Sequence, residues 1–328
     1  MKVSVFVPGH ITGFFSIFHD ENPLKKGSCG AGVLIDKGVT TTIKNMNHNR
    51  NDAHDNSINI TVNEKKDPKN EIITLKTIEI IKRNFELKYE KIFKDKIAIE
   101  HDIDIPIGSG FGTSASCAMG TAIGFSKLFK LPISKTEIGQ IAHLAEIELK
   151  SGLGDILSQT SQGIVVRESP GAPGIGKTKS IINYKNLKKS TNPETMMKNE
   201  KNDLSHIYVI SKTFGEIDTS SIIQDPDKIK KINNIGLSMQ KKIVTNPTIE
   251  NFMDCSYEFA KNTGLMNGEL LNVVDNLKKY TLGASMAMLG NTVFALSEKE
   301  NLQNIKDIDD FTISKIYTDG IKIKDETN

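Results

Sequence analysis

A chain of 328 residues has room for a substantial buried core and for one large or two ordinary domains. With 38% hydrophobic and 25% charged residues it reads as globular rather than disordered. Its 42 basic and 40 acidic residues leave a net charge of +2, which argues against a nucleic-acid groove or an anionic membrane surface as partner.

The three cysteines, Cys29, Cys117 and Cys255, are odd in number and far apart, against a disulfide framework or a cysteine-ligated zinc. From the N-terminus, the apolar run ending at Val7 suggests a signal segment, but Pro8-Gly9-His10 interrupts it too early for one. No uninterrupted apolar stretch reaches the roughly 20 residues needed to cross a bilayer, so cytoplasm is the expected compartment. Gly27-Ser28-Cys29-Gly30-Ala31-Gly32 reads either as a hairpin turn packed closely on a neighbour or as a loop that binds through backbone N–H groups and the Ser28 hydroxyl. Lys44–Asn70, rich in Asn, Asp and Lys, predicts a long loop or weak hairpin with Ile58–Val62 as a short strand inside it.

Glu71–Glu86 carries Ile72, Leu75, Ile78, Glu79 and Phe85 at helical spacing. Ile97, Ile99, Ile103 and Ile105 then alternate with Glu100, Asp102 and Asp104, the pattern of a half-buried strand. After a glycine loop, Ala115, Met119, Ala122, Ile123 and Phe129 predict a helix that stops near Leu131-Pro132. Ser134 with Glu137 forms a capping box that opens a second helix over Lys135–Lys150. Gly163–Val166 is strand-like, and the Lys-, Asn- and Ser/Thr-dense Tyr184–Ser205 predicts a boundary between domains spanning 1–190 and 191–328. Beyond it, strands at Ile207–Ile210 and Thr292–Leu296 enclose helices near Asp227–Val244, Ile249–Lys261 and Asn267–Lys278. Without regular βαβ alternation, and without an internal repeat, the class is α+β.

The chemistry centres on Pro106–Ser114. A glycine-rich turn between a strand and a helix lets the backbone approach an anion and points the free N–H groups of the first helical turn at it. Gly108, Ser109, Gly110, Gly112, Thr113 and Ser114 are therefore the candidate nucleotide-phosphate contacts, and one of the two hydroxyls can ligate magnesium. No Lys follows the last glycine, so this is not a Walker A loop, and the third glycine comes too early for a dinucleotide fingerprint. On the Lys135 helix, His143 and Glu146 share one flank of the apolar face, with Glu148 on the other. Ser151-Gly152-Leu153-Gly154-Asp155 follows as a tight turn presenting a carboxylate. A helix glutamate with a turn aspartate can divide the work, one ligating magnesium and one attracting the proton of an acceptor hydroxyl. Arg167 follows the Gly163–Val166 strand and is the best side chain for a bidentate grip on a carboxylate.

Three segments occur in the order that resembles the GHMP kinase superfamily: Val7-Pro8-Gly9-His10-Ile11, Pro106–Ala115 and Gly283–Gly290. Within it, the strings Pro8–Phe15, Gly27–Gly32, Ala142–Glu146, Gly152–Asp155 and Arg167 with Pro170–Gly174 resemble the archaeal pantoate kinase family. That resemblance implies a two-lobed fold, a nucleotide-binding first domain, a cleft between lobes, and ATP- and Mg2+-dependent phosphorylation of the 4-hydroxyl of pantoate in coenzyme A synthesis. It further implies that Ser114 and Glu146 hold magnesium and the phosphates, that Asp155 is the base or orienting carboxylate, and that Ser28, His143 and Arg167 hold pantoate. Departures are His10, where many members carry Lys or Arg, and a third motif with Met286, Met288 and Leu289 in place of glycines. Another small alcohol as acceptor, or a non-catalytic metabolite sensor on the same fold, are the alternatives, and a homodimer is left open.

Overall fold

The computed structural model describes residues 1–46, 58–89, 96–181, 204–215, 225–303 and 310–327. Asn47–Ser57 of the first polar stretch and all but the last two residues of the expected boundary Tyr184–Ser205 lie outside the described residues.

Two long strands form the backbone of the molecule: β1 (Lys2–Phe18) and β2 (Gly27–Met46), antiparallel over most of their length. Alternating Val3, Val5 and Val7 begin an inward face, and Ile11, Phe14 and Ile17 continue the buried line. Burying one such side chain contributes roughly 1.5–3 kcal/mol. A strand of this length stays in one sheet only by bending. The register shifts at Pro8/Gly9 and again at Thr12/Phe14, and a proline, which cannot donate to a ladder, is tolerated at such a bulge. The two halves of β2 consequently find different neighbours: Val39–Met46 pairs with β4 (Lys96–Ile103), and Gly30–Val33 with β5 (Ile164–Ser169). β3 (Ile58–Val62) adds to β4 in parallel and β6 (Lys177–Ser180) to β5.

The second sheet has the order β10 (Thr312–Lys315), β7 (Ile207–Gly215), β9 (Asn291–Glu298), β8 (Gly283–Met286). The last strand, β11 (Lys322–Thr327), returns to pair with the first half of β1, so the end of the chain completes the first sheet. Pairing among the strands is antiparallel apart from β3 with β4, and the class is α+β.

The helices are α1 (Pro68–Tyr89), α2 (Thr113–Leu128), α3 (Lys135–Leu149), the short α4 (Asp155–Gln159), α5 (Pro226–Thr245), α6 (Ile249–Thr263) and α7 (Gly268–Leu277). The capping box of α3 is present, with the Ser134 side chain accepting from the Glu137 N–H and the Glu137 carboxylate returning to the Ser134 N–H. The buried face of α1 differs in part from the expected one. Ile78 is buried as expected, but Ile72 and Leu75 are exposed, and Ile73, Thr74, Thr77, Ile80 and Ile81 face inward. Adjacent isoleucines at 72–73 and 80–81 satisfy two phases of the same period, and packing against α2 and α3 selects one.

Helices α5 and α6 clamp the second half of β1. Asn233 exchanges two hydrogen bonds with the Ile17 backbone, at 2.7 and 2.9 Å, and the Phe15 ring lies 5.6 Å from that of Phe259. None of the described helices is long and apolar enough to cross a membrane.

Candidate active site

The glycine loop leaves β4 and enters α2 through Gly112, whose φ of 66° is open to glycine at little cost. A Cβ here would also stand 3.2 Å from the Asp155 carboxyl carbon. No side chain caps the helix start, and its first turn holds no acid, so its N–H groups remain free for an anion. The loop is held from below: Gln159 Nε2 donates to the Gly112 carbonyl at 3.2 Å and to Ser116 Oγ at 2.8 Å. It is backed from above by the turn after β8. There Met288 N donates to the Thr12 carbonyl at 2.8 Å, and Thr292 Oγ1 to the Ser109 carbonyl at 2.9 Å. A Cβ at Gly290 would overlap that same Ser109 carbonyl, which is why the third motif ends in glycine. Leu289, at φ 63°, holds a backbone conformation unusual for a bulky residue, and with Met288 it lines the cleft.

Facing the loop, α3 delivers Glu146, which is 2% exposed. A hydroxyl relay reaches it, Ser114 Oγ donating to Ser151 Oγ and Ser151 Oγ to Glu146 Oε1, each at 3.2 Å. The turn roofs this carboxylate so closely that a Cβ at Gly152 would overlap it. Burial, and then the nearby charge of Asp155, push the Glu146 carboxyl up to about 8, against the pull of the two hydroxyls.

Asp155 heads α4, and His10 Nδ1 lies 2.6 Å from its Oδ1. Burial pushes the Asp155 carboxyl up. The His10 hydrogen bond and charge, with that of Arg167, outweigh burial and hold it below the usual carboxylate range. Burial is the larger effect on His10 and lowers its pKa, against the opposing pull of the Asp155 hydrogen bond and charge. The far nitrogen, Nε2, is buried without a partner, against Gly32, where a Cβ would overlap it.

Arg167 is the largest side chain among those fully buried. Its Nη1 donates to Ser158 Oγ at 2.8 Å, while Nε has no partner. A Cβ at Gly154 would overlap the Ser28 hydroxyl and stand 2.8 Å from Arg167 Nε, so that glycine lets the turn close over both. A buried guanidinium with an unsatisfied N–H beside a hydroxyl leaves donors that can receive a carboxylate.

Ser28, Gly108, Ser109, Gly110, Gly112, Thr113, Ser114, Glu146, Asp155 and Arg167 all border one cleft of about 280 Å3, with Thr12 and Phe15. His143 does not border it. The ring is buried, and Nε2 donates to the Pro23 carbonyl at 3.2 Å, pinning the turn that precedes β2. The Gly27–Gly32 segment is neither a turn nor a free loop. It opens β2, and from Gly30 its backbone is paired with β1 on one side and β5 on the other. Ladder pairing consumes those N–H groups, which leaves the Ser28 hydroxyl as its contribution. His10, Ser151 and Gln159 were not among the residues that sequence pattern singled out for the site. His10 alone had a signal, its place in the Pro-Gly-His string.

The donors suit magnesium. The Glu146 and Asp155 carboxylates and the Ser114 hydroxyl are oxygen donors of the kind magnesium takes, with its other positions open to phosphate oxygens and water. A buried Glu146 that resists ionisation beside Asp155 would be relieved by such a cation.

Residues 73–163 match the family model described as GHMP kinases N terminal domain, a span running from α1 through the glycine loop to the end of the Asp155 segment. The chain belongs to the GHMP kinase family. Pantoate kinase of Methanocaldococcus jannaschii is 37% identical over 301 residues, 92% of this chain and 94% of that one. The pantoate kinase of Thermococcus kodakarensis is 32% identical over 330 residues, 98% of each chain. A solved structure titled "Phosphotransferase related to CoA biosynthesis pathway" superimposes with a TM-score of 0.82 at 30% identity, covering 98% of both chains.

Proposed function

We propose that this protein is an ATP- and Mg2+-dependent pantoate kinase, phosphorylating the 4-hydroxyl of pantoate in coenzyme A biosynthesis. The observation that carries the reading is the convergence, in one cleft, of a phosphate loop, an acid pair and a buried arginine that lacks a full set of partners. Likeness to the pantoate kinases supports the choice of acceptor.

In this reading the loop from Gly108 to Ser114 cradles the triphosphate with its N–H groups, and ATP donates its terminal phosphoryl group. Ser114 and Glu146 hold Mg2+, which when bound offsets the charge of the phosphates. Arg167 and Ser28 take the pantoate carboxylate and fix the far end of the acceptor. Phe15, which lines the cleft, offers apolar contact to the gem-dimethyl group, whereas Phe14 is fully buried in the core. His143 acts at one remove, by holding the turn that leads into Ser28.

Asp155 accepts a hydrogen bond from the acceptor hydroxyl and draws off its proton as the oxygen bonds to phosphorus and ADP leaves. His10 keeps that carboxylate ionised and aimed. In a loose transition state the aim matters as much as the basicity. A coupled ADP-release assay tests the reading. Turnover is expected with pantoate and little with homoserine or mevalonate; turnover with one of those and none with pantoate would overturn the substrate and leave a sister kinase.

A further inference from the structure

Behind the Gly152-Leu153 turn lies a second cavity, of about 580 Å3, that shares the turn as a wall with the catalytic cleft. Its rim is cationic. His19, Lys26, Lys150 and Lys230 line it, and among the described residues no Asp or Glu does. The ion pairs formed by described residues involve none of these three lysines. Their charges therefore add up within one concave space, where the field on an anion is focused. Ile147 and Ile229 supply an aliphatic wall.

Lys150 carries a further sign. It follows α3 in the left-handed conformation, with φ 56°, at a position where glycine is the usual residue. A side chain there costs roughly 1 kcal/mol or more. Lys130 after α2 holds the same conformation, so the backbone alone does not mark Lys150; what does is that it places an ammonium group at the cavity rim.

We propose that this cavity is a second ligand site, distinct from the catalytic cleft, that takes a small phosphate ester with an aliphatic body. The rim cations receive the phosphate, and Ile147 with Ile229 receives the chain. Its size lies within the range of small-molecule sites.

The test is calorimetric titration of n-butyl phosphate and of inorganic phosphate into the full-length protein saturated with MgADP. A K150G/K230Q variant removes two charges where the fold tolerates it, since glycine suits the Lys150 backbone and Lys230 is exposed on α5. One equivalent of n-butyl phosphate is expected to bind, about tenfold tighter than inorganic phosphate and at least about tenfold weaker in the variant. Absence of binding, equal affinity for the two phosphates, or unchanged affinity in the variant would each overturn the proposal. Because the variant leaves the glycine loop intact, its result also separates this cavity from binding at that loop.

Discussion

His10, fully buried, meets Asp155 at 2.6 Å where the aspartate borders the cleft, and its hydrogen bond is the largest effect holding that carboxyl low. Asp155→Asn keeps the shape but removes the charge. Its kcat is expected to fall about 10²–10⁴-fold while nucleotide affinity barely changes, and unaltered turnover would remove Asp155 from the mechanism. His10→Ala takes away the donor, so burial pushes the Asp155 carboxyl back up. The acid limb of the kcat/KM profile should move to higher pH, and an unmoved limb would show that His10 does not set the charge on Asp155. Arg167→Gln should raise the KM for pantoate about 30-fold, on the order of 2 kcal/mol for a charge-assisted contact, with the KM for ATP unchanged. A KM for ATP that rises in parallel would place Arg167 on the nucleotide side instead. At this scale the sequence pointed to Ser114, Glu146, Asp155 and Arg167, because each sits beside a glycine turn, a helix face or a strand end that pattern reveals. Ser151 gave no such sign, since a serine in a turn is common and only its two neighbours single it out.

Among the elements, the turn after β8 and the glycine loop are packed so tightly that each shapes the other. Gly290→Ala places a methyl group against the Ser109 carbonyl and must displace the loop. The KM for ATP is expected to rise several-fold, with a stability loss of about 1–3 kcal/mol as in other overpacked sites. A variant whose ATP kinetics match the parent would show that the third motif does not bear on nucleotide binding. The long helices could be read in advance from their spacing, α3 from its capping box as well, whereas the short α4 reads as part of a turn. The buried phase of α1 could not, because paired isoleucines fit two faces. Nor could β1 and β2 be read as strands of 17 and 20 residues, since bulges interrupt the alternation that would reveal them.

Across the whole molecule, His101 links the core to pH. It sits fully buried between Thr41 Oγ1, 2.9 Å from Nδ1, and Thr74 Oγ1, 2.8 Å from Nε2. Burial lowers it from 6.5 to about 4. Below pH 6.5 the unfolded chain takes up a proton that the folded chain refuses until about pH 4, so stability falls as pH drops through that window. The loss reaches about 3 kcal/mol. Glu146, raised to about 8, contributes a slope of opposite sign, because the folded state holds its proton after the unfolded chain has released it. Urea midpoints from pH 7 to 4 should therefore be compared between the parent and His101→Gln. The parent should lose more stability than the variant, and parallel curves would assign the acid sensitivity elsewhere.

What the sequence determined by itself was local: a strand, a glycine loop and a helix in succession, the capping box of α3, the α+β class, and a set of side chains suited to phosphoryl transfer. These signals act between residues a few positions apart, where spacing alone dictates contact. What the tertiary structure decided was long-range. His10 reaches Asp155 across 145 positions, Met288 reaches the Thr12 carbonyl, and β11 closes the sheet that β1 began. No spacing encodes such meetings. They follow from which apolar faces bury each other, and the glycine loop legible in the sequence becomes one wall of a cleft only once those faces have packed.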